Sequence, residues 1–120
     1  MPSVLEQLAA LVVEWQDAKM CRSQWIGDDR MKVYVRKARH KCGDHGLLAC
    51  LDIGSIEVYE PGQGTFSQWF HPAAVKLNPW EAIFVESVMD RRFKEFFERN
   101  GFTRLGSEPL CLNYFLLKSG

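Results

Sequence analysis

The chain has 120 residues, 47% of them hydrophobic and 12% aromatic, with fifteen Lys and Arg balanced by fifteen Asp and Glu. That length holds one core, so a single domain over residues 1–120 is expected, and the apolar fraction excludes an intrinsically disordered chain. A formal net charge of zero excludes a global field drawing the protein toward nucleic acid or an anionic membrane, so neither is expected as a partner.

Ser3 followed by Glu6 is a capping box, and Val4, Leu5, Leu8, Leu11, Val12 and Trp15 then recur on one face. This predicts an amphipathic helix over residues 3 to about 18. Residues 26–30 carry turn chemistry. Residues 31–39 place Val33, Tyr34 and Val35 among alternating charges, the pattern of a strand with one wet face. Their basic side chains, with His40 and Lys41, read either as a phosphate-facing patch or as a solvated strand face, and the second is favoured. Cys42–Gly46 reads as a hairpin turn, after which residues 47–59 form a long central strand with Gly54 as a bulge.

Residues 60–64 are a glycine turn opening a helix from Thr65, which Pro72 should end or kink near Phe70. Residues 81–89 read as a buried strand, Asp90 as the cap of the following helix and Gly101 as its stop; residues 110–117 form a last strand. The fold class expected is therefore α/β (α+β), a mixed, mostly antiparallel central sheet flanked by helices. No basic segment leads into an apolar stretch with a cleavage site, and no window approaches the roughly 18 apolar residues of a membrane span, which predicts a cytoplasmic protein. Cys21, Cys42, Cys50 and Cys111 make no C-x-x-C pair, and too few His or Cys residues stand at metal spacing, so no metal site is expected.

From residue 31 onward the element order, together with FVESVMDRRFKEFFERNGF (residues 84–102) and IEVYEPGQGTF (residues 56–66), resembles the GNAT family of N-acetyltransferases. The first segment is similar to the family's strand, capping residue, helix and closing Gly-Phe, with Asp90 where the family usually has Asn. The second is similar to its coenzyme loop, Q/R-x-x-G-x-G/A. If Gly62 and Gly64 are the loop's glycines, Tyr59 replaces the Gln or Arg; if Gln63 takes that place, Phe66 and Gln68 replace the glycines. The first register is preferred because it sets Gly-x-Gly directly before the helix.

The resemblance implies acetyl-coenzyme A as cofactor, coenzyme A as product, and N-acetyl transfer to an unidentified amine of a small molecule, peptide or protein. The alternative is a catalytically weak or inactive module of the same fold that works through protein binding. It also implies two parallel strands splaying near Val58 and Val85 to admit the pantetheine arm. Val58, Gly62, Gln63, Gly64, Thr65, Phe66 and Asp90 are the candidate cofactor-binding residues; backbone N–H groups at a helix start are suited to a pyrophosphate. Glu57 and Glu86 are the candidate bases, because a carboxylate in a partly dry cleft can have its pKa raised toward neutrality. Phe97 stands where the family often has a proton-donating tyrosine, with Ser87 and Tyr59 as possible substitutes. The tryptophans and His71 read as pocket lining or as core and surface residues, and exposed aromatics leave room for a homodimer.

Overall fold

The computed structural model describes residues 2–88, 90–105 and 112–118, without the side chains of Ser87 and Leu112. Ser3 accepts from the Glu6 amide at 3.2 Å while Glu6 accepts from the Ser3 amide at 3.0 Å, so the capping box forms and opens α1, Val4–Trp15. Val4, Leu8, Leu11, Val12 and Trp15 are its buried stripe.

Among the described residues six strands follow: β1 (Arg22–Gly27), β2 (Met31–Lys41), β3 (Leu47–Val58), β4 (Ala82–Val88), β5 (Thr103–Leu105) and β6 (Leu112–Leu117). Their order across the sheet is β1-β2-β3-β4-β6-β5, antiparallel throughout except for the parallel pair β3 and β4. The class is thus mixed α+β with a mostly antiparallel sheet, as the sequence predicts. Gly54 is a bulge: Tyr34 faces Ser55 and Val35 faces Ile53, leaving Gly54 without an opposite.

Two strands escape the sequence reading. β1 takes in Ile26 and Gly27, which the sequence assigned to a turn. It lies at the sheet edge with only Ile26 buried, so it carries no apolar alternation to read. β5 is only three residues long, too short for periodicity to declare it. The last strand begins at Leu112; residues 110 and 111 lie outside the described residues.

After β3, Gly64 takes φ +73° and starts a widely wound turn, Thr65–Phe70, that runs straight into α2, His71–Leu77. The sequence placed a break near Phe70; instead the winding changes there, with the His71 amide bonded to the Phe66 carbonyl five residues back. Pro72 has no N–H, and its ring would meet a carbonyl four residues back in a regular helix. Wider winding ahead of it relieves both demands. α3, Arg91–Arg99, is capped by Asp90, whose Oδ1 accepts from the Arg92 amide at 2.8 Å.

α1, α2 and α3 pack on one face of the sheet, against Val33, Val35, Leu51, Ile53, Ile83, Val85 and Tyr114. The opposite face carries a smaller cluster, Cys42, Cys50, Ala82, Phe84 and Phe115, to which no described helix contributes. No helix among the described residues is long and apolar enough to cross a membrane.

Candidate functional site

Alternation along the strands decides what the two sheet faces offer. On β2, Met31, Val33 and Val35 point into the helical core, which sends Lys32, Tyr34, Arg36 and His40 to the other face. On β3, Leu51 and Ile53 face the core and Asp52 faces away, directly opposite Arg36 in the register.

β3 and β4 pair from Cys50 and Ala82 to Ile53 and Val85, and no pair joins them beyond that point among the described residues. On β4 the parting falls at Val85, where the sequence placed a splay, but on β3 it sets in after Ile53, five residues before the expected Val58. It opens a cleft of about 310 Å³ lined by Ile53–Ile56, Val85, Glu86, Val88, Asp90, Phe93 and Phe97. Strand backbone on both sides of such a gap lacks the neighbour that a continued sheet would supply.

The sequence candidates divide around this cleft. Glu86 and Asp90 line it. The Arg92 backbone N–H, the strongest influence on Asp90, holds its carboxyl below the ordinary value. Glu57 lies outside the lining, exposed on the helix-free face with its carboxylate 3.5 Å from Lys32. Val58 packs against the core. Gly62, Gln63, Gly64 and Thr65 are not in the lining, but their turn abuts it: buried Phe66 sits 5.2 Å from Phe93, a cleft residue. Phe97 is fully buried against Tyr114, Phe102 and Phe66 as well as lining the cleft. The tryptophans form no common pocket: Trp15 and Trp80 are buried, Trp69 lies under Arg30, and Trp25 stands half-exposed beside Tyr34.

A charge cluster missed in the sequence shares Glu86 with the cleft. Asp52, wholly buried, receives His40 Nε2 at 2.6 Å and Arg36 Nη2 at 2.9 Å on one oxygen, Oδ2. Arg36 also pairs with Glu86, whose Oε1 is 3.9 Å from His40 Nε2. The His40 ring stacks on Phe84 at 3.8 Å. Burial, the dominant influence, raises the Asp52 pKa, opposed by the hydrogen bond from His40 and the charge of Arg36. One signal could have found the cluster: Asp52 is the lone charge in the apolar run LLACLDIGSI, and a buried charge demands partners. Those partners, Arg36 and His40, belong to the basic stretch read as a solvated face. Lys37 of that stretch is likewise engaged, with the Ala18 carbonyl.

No protein-family model matches the chain, and no curated protein matches it. Among solved structures it is similar to a chain of "The crystal structure of KacTA-DNA complex", at 17% identity and a TM-score of 0.56, covering 94% of this chain and 80% of that one. At that identity the likeness concerns the fold.

These findings correct three expectations. The GNAT resemblance is overturned, since no family model matches and the solved neighbour is a KacTA–DNA complex. The physical reason is visible in the residues that carried it: Gly62, Gly64 and Gly101 serve positive φ angles and Asp90 caps a helix, demands that any strand–helix unit makes. N-acetyl transfer to an amine acceptor, with its alternative of an inactive module of that family, rested on the resemblance and falls with it. The exclusion of nucleic acid from the partners also fails, because the neighbour's complex contains DNA. Zero net charge constrains the long-range field and leaves local patches free.

Proposed function

We propose that the chain is a ligand-binding domain whose cleft takes the extended, amide-bearing arm of a nucleotide thioester, with acetyl-coenzyme A as its representative. The observation that carries this reading is the parting of β3 and β4 past Ile53 and Val85. An arm lying in the gap acts as a short added strand, its amides pairing with backbone groups of Gly54–Ile56 and of β4. The cleft's volume suits such an arm, and the nucleotide would lie outside it. The turn Gly62–Thr65 opens the wound segment ahead of α2 and offers backbone N–H groups for the phosphates. Glu86, at the boundary between cleft and charge cluster, is the residue best placed to meet the arm's reactive end.

Isothermal titration of the whole chain with acetyl-coenzyme A and coenzyme A tests this. Micromolar binding is expected, lost in Ser55→Trp, an exposed cleft-lining position where an indole fills the gap without disturbing the core. No heat at millimolar ligand sinks the reading. A second reading, membership of a protein–DNA assembly, is favoured by the solved neighbour, and the same titration with duplex DNA separates the two. We further place the protein in the cytoplasm as a single domain. The free thiols of Cys21, Cys42 and Cys50 support a reducing compartment.

A further inference from the structure

The partners of Asp52 are distributed unevenly. Both donors converge on Oδ2, while Oδ1, equally buried, has none among the described residues, and neither has the buried Nε of Arg36. A buried carboxylate oxygen left without a donor or cation is rare and marks an incomplete site. Charge is incomplete as well. Two carboxylates, Asp52 and Glu86, face one guanidinium among the described residues.

His40 on β2, Asp52 on β3 and Glu86 on β4 come from three adjacent strands, so their backbone positions are fixed by the sheet. One ligand atom from each lies within 4.8 Å of the others. One imidazole and two carboxylates form a donor set suited to zinc, which takes nitrogen and oxygen ligands at about 2.0–2.2 Å and keeps further positions for solvent or substrate. The sequence shows no such spacing because residues 40, 52 and 86 meet only across the sheet.

We propose that His40 Nε2, Asp52 and Glu86 form a zinc site in which the metal displaces the Arg36 guanidinium. The ion supplies two positive charges where the arginine supplies one, which balances the two carboxylates. Arg36 has somewhere to go: its side chain is 28% exposed, and its guanidinium lies 5.9 Å from the Tyr34 ring on the helix-free face, where a cation can rest over the aromatic surface. This site does not depend on the ligand proposed for the cleft.

The test is a zinc titration of the chelator-stripped full chain against a chromophoric chelator, with circular dichroism on every variant. Wild type should take up one Zn²⁺ tightly enough to compete at about 100 µM, with Mg²⁺ ineffective because imidazole ligation disfavours it. His40→Asn and Glu86→Gln should each weaken binding by roughly tenfold or more. Arg36→Gln, which removes the competing cation, should strengthen it. That result is unlike a purely structural role, and it keeps the proposal testable if the ligand variants misfold. No uptake by wild type, undiminished uptake by folded His40→Asn, or no gain in Arg36→Gln would overturn the site.

Discussion

His71 sits where a charge is least welcome. Its ring is edge-on to Phe96 at 5.1 Å, with Phe102 at 5.6 Å and Phe66 at 6.1 Å, in the seam between α2 and α3. Burial pulls its pKa below the ordinary 6.5. The unfolded chain therefore binds this proton more readily than the native one, so stability rises with pH. The contribution is fully present above pH 6.5 and is lost as pH falls through the lower, native-state value. His71→Phe, which suits the aromatic surroundings, should flatten that part of the profile; urea midpoints of the two proteins at pH 7.5 and at about 5 would show it. An unchanged slope would place the sensitivity elsewhere. In the sequence His71 is a lone histidine beside a proline, and nothing local announces the rings of Phe96 and Phe102 brought to it from beyond β4.

At the scale of elements, what the sequence declares well is whatever one turn or one strand settles by itself. The capping box at Ser3 and Glu6, the Asp90 cap and the glycine after α3 are local demands, and all are met. Gly101 has φ +84°, and its amide region closes the helix as the Phe102 N–H reaches back to the Phe97 carbonyl at 3.1 Å. A Cβ there would make only ordinary contact with Leu116, so Gly101→Ala should cost the conformational penalty alone, about 1–2 kcal/mol in chemical denaturation. A much larger loss would mean steric conflict after all. β1 and β5 stayed illegible because an edge strand that buries one residue, or a strand of three, leaves no periodic trace.

At the scale of the molecule, the charge cluster was illegible for a different reason. Its members span 50 positions in the chain, from residue 36 to residue 86, and become neighbours only when β2, β3 and β4 align. The cleft was partly legible: Glu86 and Asp90 reach it, while Glu57 does not, because a bulge at Gly54 and the alternation beyond it set which side chains turn inward. That same parting of β3 from β4 divides one strand into two kinetic regimes. Amides in Cys50–Ile53 are held between two neighbours, whereas those in Ser55–Val58 have β2 on one side and a gap on the other. Deuterium uptake along β3 should therefore show a step at Gly54, the distal half exchanging at least about tenfold faster. An occupant of the gap would supply the missing neighbour and erase the step, so the strand itself reports on whether its cleft is filled.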